Sequence, residues 1–168
     1  KLHPALSTLQ DHFGDQKVPV VSQLKSQGID GEHLRETTLA DAIELMKASS
    51  KLDSTDETQK VHYVKDWHLF LQLAQQSRSQ NTSLKSLYEP PKQFRDDWMN
   101  HPTLISHGLD EKGKQKDDFR FCYAGQAGTQ THLHADVYTS YSWSTNVVGR
   151  KRWRLFPPDV ALFLRRFP

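Results

Sequence analysis

Apolar and polar positions alternate in two ways along this chain, and the switch between them marks its elements. Residues 2–14, LHPALSTLQDHFG, have the spacing of a short amphipathic helix ending at Gly14. Val18-Pro-Val-Val21 reads as a short strand. Pro19 has no amide hydrogen for a ladder, which places it at a sheet edge or a strand start. Residues 22–36 are polar, carry two glycines and read as loop. Thr38-Leu-Ala-Asp41 opens a helix in the manner of a capping box, with Asp41 in the glutamate place. Apolar residues at 39, 43, 45 and 46 carry that helix to about residue 49.

Residues 50–60, SKLDSTDETQK, read as a solvated linker. Val61–Val64 is a strand leading into Lys65-Asp66-Trp67-His68-Leu69. The Gln- and Ser-rich stretch 72–87 reads as loop or frayed helix. Pro90-Pro91 precedes a short helix over QFRDDWMN, residues 93–100, since proline suits a first helical turn. The charged run 109–118 reads as a surface turn. Residues 118–158 then follow strand periodicity, and DVALFLRR after Pro158 has helical spacing. Helices first and antiparallel strands afterwards predict an α+β chain whose β part is a jelly roll, or double-stranded β-helix. Trp67, Trp98, Trp143 and Trp153 are expected in the core.

Composition narrows the function classes. The 168 residues are 36% hydrophobic, 25% charged and 10% aromatic, enough for a folded domain with solvated stretches. A formal net charge of +2 makes no electrostatic case for nucleic acid. One cysteine, Cys122, excludes an intrachain disulfide and fits a reducing compartment, so a cytoplasmic or nuclear location is expected. No apolar run reaches the length of a membrane span. Asn81-Thr-Ser83 matches a glycosylation sequon without any secretory feature beside it.

The chemistry concentrates in residues 118–158. A Gly-interrupted turn (Gly125, Gly128) leads to His134-Ala-Asp136, and in a strand both side chains project from one face, about 7 Å apart along it. An imidazole and a carboxylate so placed can converge on one cation as two members of a 2-His-1-carboxylate triad, which leaves iron positions open to substrate and oxygen. Lys151 supplies an ammonium for a carboxylate ligand, and Thr131 a hydroxyl. Arg150 and Arg152 flank Lys151, but alternation sets it on the face of Trp153 and Leu155, which points it inward. Ser144 and Asn146 share a face with Ser142. Tyr123 lines a pocket or sits in the core. His132 reads as a support for His134 or as an exposed residue, and Cys122 as a buried strand residue.

Four motifs now stand in order: Tyr-Ala-Gly-x-Ala-Gly (123–128), His-Ala-Asp (134–136), Ser-Tyr-Ser-Trp-Ser-x-Asn-Val (140–147) and Gly-Arg-Lys-x-Trp-x-Leu-Phe-Pro-Pro (149–158). Together they resemble the first half of a JmjC domain, the Fe(II)- and 2-oxoglutarate-dependent oxygenases of the cupin superfamily. The likeness extends to Phe13-Gly14, Val18-Pro19-Val20 and Lys65–Leu69. It implies Fe(II) on His134 and Asp136, with 2-oxoglutarate on Lys151 and contributions from Thr131, Ser144, Asn146 and Tyr123. O2 would be the oxidant. Related enzymes often carry Asn where Ser144 stands, so the polar role there passes to Ser144 or Asn146.

Within the family the motifs are similar to the branch that hydroxylates a lysine of the peptide chain release factor, which implies that partner. Histone lysine demethylation, tRNA hydroxylation and a non-catalytic scaffold are the alternatives. The resemblance divides the chain into an N-terminal extension, residues 1–60, packing on the barrel, and the N-terminal part of a JmjC domain, residues 61–168. The family's second histidine lies downstream of His-x-Asp, and no histidine follows Asp136. The chain therefore reads as a fragment, with activity expected of the intact protein and little from these residues alone.

Overall fold

A computed structural model of the chain describes residues 3–24, 33–51, 56, 58–76, 89–101, 103 and 118–164. Helix α1 (Pro4–Phe13) is followed by strands β1 (Lys17–Leu24) and β2 (His33–Thr38). Helix α2 (Leu39–Ser50), strand β3 (Lys60–Trp67), helix α3 (Leu69–Gln76) and strand β4 (Cys122–Gly125) come next. The strands form one antiparallel sheet in the order β2-β1-β3-β4. This is an α+β arrangement. The sheet spans residue 60, since β1 pairs directly with β3.

Strand alternation gives the sheet two faces. On one, Val20, Val64 and Ala124 lie in register across three strands. With Val18 and Trp67 they pack under Leu39, Ala42, Ile43 and Met46 of α2, with Leu9 and Phe13 of α1 at the margin. Burying these side chains is the main drive for the fold, at about 1.5–3 kcal/mol for each large one. The opposite face carries Val21, Gln23, Val61 and Tyr63, and it positions the site.

Two helix ends show how local chemistry sets the frame. Thr38 accepts a hydrogen bond from the Asp41 amide (3.1 Å), the expected cap. Asp41 returns its carboxylate to the Thr37 hydroxyl rather than to the Thr38 backbone. Gly14 does close α1, but with φ −53°, ψ −36° it is not a left-handed cap. Glycine is needed there because a Cβ would stand 2.6 Å from the Gln10 carbonyl oxygen.

Several expectations are corrected. Residues 22–36 are not all loop: β1 runs to Leu24 and β2 begins at His33. β2 is an edge strand of polar and charged residues, a composition that blunts edges and hides the strand from an apolar pattern. β1 is internal, so Pro19 is not at an edge. It is the third residue of β1, opposite Glu36 of β2 and one residue before the β1–β3 ladder opens at Val20, so it is not at the strand start either. Residues 69–76 are helical, whereas 77–88 lie outside the described residues. Residues 93–100 form no continuous helix but lie in two 3-10 turns, Lys92–Phe94 and Trp98–Asn100. Asp97 separates them by accepting from the Asn100 amide and side chain. Of the run 109–118 only Asp118 is described, and it is buried against His68 rather than on the surface.

The largest difference lies beyond Gly125. Residues 126–157 form no strand; a 3-10 turn at Val137–Thr139 interrupts an otherwise irregular path. A ladder requires a partner, and none of the described residues supplies one. Tyr138 and Thr139 also take positive φ, 56° and 50°, which turns the chain directly after Asp136. Of the four tryptophans only Trp67 is core. Trp98 and Trp153 are 79% and 60% exposed, and Trp143 stacks on Phe94 at 5.7 Å. The one-turn helix Ala161–Leu164 follows Pro158 as expected.

Candidate functional site

The segment leading to His134 is held by side chains acting as backbone partners. After β4 the chain turns at Gly128 (φ 91°), where the Thr129 hydroxyl donates to the Gln126 carbonyl. Gln126 accepts from the His62 amide (2.8 Å) and donates to the Met46 carbonyl (3.0 Å). Buried Gln23 donates to the Gln130 carbonyl and accepts from its amide. Residues 126–130 are thus tied to the sheet without a strand.

His134 and Asp136 meet at the end of this segment, Nε2 to Oδ1, 3.4 Å apart. His134 Nδ1 lies 2.6 Å from the His132 carbonyl oxygen. A carbonyl only accepts, so Nδ1 carries the hydrogen, and Nε2 of the neutral ring presents its lone pair to the carboxylate. The second carboxylate oxygen, Oδ2, accepts from the Ser142 hydroxyl at 2.6 Å. Two lone-pair donors facing one another require a shared proton or a shared cation. The pair is about half exposed, open to ligands from solvent. Among the described residues no third His, Cys, Asp or Glu completes a cluster.

Beside this pair lies an aromatic group. The Lys151 ammonium sits 4.9 Å from the ring centroids of both Tyr123 and Trp153, within cation–π range. Tyr123 stacks on Tyr63 (5.9 Å, 29°) and its hydroxyl donates to Asp66 Oδ1 at 2.8 Å. The Thr131 hydroxyl lies near the Tyr63 phenol and eases its ionisation. Tyr63, which no sequence motif marks, thus borders Thr131 and stacks on Tyr123, whose ring in turn meets Lys151. Burial first, and then the Asp66 carboxylate, push the Tyr123 phenol well above its ordinary range, with a smaller push from Asp136. Burial likewise raises Tyr63, against the effect of the Thr131 hydroxyl.

The other selected residues fall elsewhere. Asn146 donates to the Gly149 carbonyl (3.0 Å) and closes the turn before Lys151. Ser144 is exposed. His132 is half-buried and serves His134 through its carbonyl. Cys122 is a half-buried free thiol pushed up to about 11 by burial and then by Asp118, which makes it a poor nucleophile. Asp66 sits at the irregularity in the β3–β4 ladder with φ 56°, a conformation that asparagine and aspartate tolerate best after glycine. That strain is invisible in sequence.

No protein-family model and no solved structure matches the chain. Curated proteins do. The 2-oxoglutarate and iron-dependent oxygenase JMJD4 homolog of Drosophila melanogaster is 42% identical over 102 residues, covering 61% of this chain and 20% of that protein. The JMJD4 oxygenase of Mus musculus is 33% identical over 166 residues, 96% of this chain and 34% of that protein. The arginine-specific demethylase JMJ20 of Arabidopsis thaliana is 34% identical over 167 residues, 95% and 33% respectively. The chain is similar to these oxygenases and to this demethylase over part of their length. It spans between 20% and 34% of the length of these relatives.

The residues present fit part of an iron site, two donors with no third among the described residues. One nitrogen and one carboxylate oxygen suit Fe(II), and 3.4 Å between them is within reach of a single cation with bonds of about 2.1 Å. The Nδ1–H to carbonyl bond and the Ser142 bond are the supports that orient such ligands.

Proposed function

We propose that the intact protein is an Fe(II)- and 2-oxoglutarate-dependent oxygenase that hydroxylates a lysine side chain of the peptide chain release factor, in the cytoplasm. The observation that carries the chemistry is the orientation of His134. Its Nδ1–H is committed to the His132 carbonyl, so Nε2 and Asp136 offer two donors to one cation. The relatives named as 2-oxoglutarate and iron-dependent oxygenases support the cofactors. The JMJD4 likeness supports the release factor as partner, and the JmjC resemblance supports a jelly-roll continuation of residues 61–168, with residues 1–60 packed against it.

In this reading His134 and Asp136 hold the iron and Lys151 meets the far carboxylate of 2-oxoglutarate. Thr131 and Tyr123 line that end of the pocket, and Ser144 or Asn146 supplies a further polar contact. The iron, when bound, supplies the activation of O2 that an unactivated C–H bond demands. The chain's own share is orientation: Ser142 and the His132 carbonyl fix the ligands, and the Lys151 charge selects a dicarboxylate. A second reading is arginine demethylation, favoured by the match to the demethylase JMJ20 over 95% of this chain.

Succinate release from 2-oxoglutarate by the intact protein separates these readings, with His134→Ala as control. A release-factor lysine peptide gaining one oxygen atom supports the first. A methylarginine peptide losing its methyl group as formaldehyde supports the second. Succinate formation unchanged in His134→Ala would remove both.

A further inference from the structure

Three features converge on Asp66. Its backbone holds a left-handed conformation (φ 56°) where the β3–β4 register shifts between Val64 and Trp67. Its carboxylate accepts the Tyr123 hydroxyl at 2.8 Å. The Tyr123 ring it anchors is stacked on Tyr63 and carries the Lys151 ammonium 4.9 Å from its centroid.

A phenol has one hydrogen, and here it is directed to Asp66. A carboxylate is the strongest acceptor available to it, so the hydroxyl has no proton left for a ligand. What Tyr123 offers Lys151 is its ring face. Among the described residues no carboxylate pairs with Lys151, whose charge is held between two π faces and remains open to an anion. We propose that Asp66 is a positioning residue for the cosubstrate clamp: by taking the Tyr123 proton it presents the ring face to Lys151, and leaves Lys151 as the donor to the ligand's far carboxylate. This rests on the oxygenase reading above and adds to it a division of labour between Tyr123 and Lys151.

Binding of 2-oxoglutarate to the intact protein, measured by calorimetry with Mn(II) in place of iron, tests the division without turnover. Tyr123→Phe keeps the ring face but loses the Asp66 anchor, so it is expected to weaken binding about as much as Asp66→Gly and less than Tyr123→Leu, which loses roughly threefold to tenfold. Loss in Tyr123→Phe as large as in Tyr123→Leu would overturn the proposal, because the hydroxyl would then be the contact. Asp66→Asn keeps an acceptor and Asp66→Gly removes it, and both residues accept positive φ at least as readily as aspartate. Retained binding in Asp66→Asn with loss in Asp66→Gly is expected; equal binding in the two would overturn the positioning role.

A ligand-free readout distinguishes failure here from failure of the function. The Raman tyrosine doublet, taken as wild type minus Tyr123→Phe, reports a phenol donating to a strong acceptor, and it shifts in Asp66→Gly. A doublet unmoved by Asp66→Gly sinks the Asp66 contact itself. If the doublet shifts but wild type binds no 2-oxoglutarate, the oxygenase reading and the clamp role fail, and the Asp66–Tyr123 contact stands.

Discussion

The Gln23 side chain and the Gln130 backbone exchange two hydrogen bonds, 2.7 Å from Nε2 to the carbonyl and 3.1 Å from the amide to Oε1. Gln23 is 1% exposed, on the sheet face opposite the helices. Its amide does what a neighbouring strand would do, and the segment bearing Thr131, His134 and Asp136 begins from that point. Gln23→Leu fills similar space and makes neither bond. It is expected to lower stability by about 2 kcal/mol, read as a lower denaturation midpoint with an unchanged slope.

Ser142 donates to Asp136 Oδ2 and so leaves Oδ1 for His134 and a shared cation. Ser142→Ala removes this orientation while leaving both ligands in place. Loss of such a supporting bond commonly costs about tenfold or more in metal affinity, and that is the expected fall in Mn(II) affinity. Ser142 is exposed, so the denaturation midpoint should hardly change.

Gly125 ends β4 directly opposite Tyr63. A Cβ there would stand 2.6 Å from the Tyr63 ring and 2.7 Å from the Thr129 hydroxyl. Gly125→Ala must displace the ring, which also displaces the Tyr123 stack. A loss of about 1–3 kcal/mol is expected in thermal or chemical denaturation. Wild-type stability in this variant would mean that Tyr63 does not occupy this position.

His62 gives the fold a predictable acid side. Burial, and then the charges of Arg35 and Lys60, lower its affinity for a proton. The unfolded chain therefore protonates His62 at a higher pH than the folded one. The contribution is whole above about pH 6.5 and is lost as pH falls through that value towards the lower folded pKa. His62→Gln should flatten the stability profile between about pH 7 and pH 5 relative to wild type. An unchanged slope would place the acid sensitivity elsewhere.

What the sequence disclosed depended on range. The Thr38 cap, the Val18 and Val20 strand and the helix after Leu39 rest on neighbours within a few residues, and each appears where the pattern sets it. His134 and Asp136 lie 3.4 Å apart, but on an irregular path rather than on the strand face expected to align them. β2 was missed because an exposed edge strand buries little and has no apolar alternation to show. Asp66 and Tyr63 were missed for another reason. Each meets its partner only through sheet register, 57 residues from Asp66 to Tyr123, and no local pattern encodes a register. The strands expected after Gly125 show the converse: alternation states what a segment suits, and a ladder still needs a partner.

Sequence separation also orders assembly. β1, β2, α2 and β3 all lie within residues 17–67, so their contacts close short loops. β4 joins β3 from about sixty residues away, and Gln130 reaches Gln23 across 107. Long closures come late, since their entropy is lost before their contacts return anything. The helix-covered half of the sheet is then the part that forms early and exchanges its amides last. The segment with the candidate metal ligands docks onto a finished platform, and native-state hydrogen exchange should find residues 126–136 opening well before Val20 and Val64.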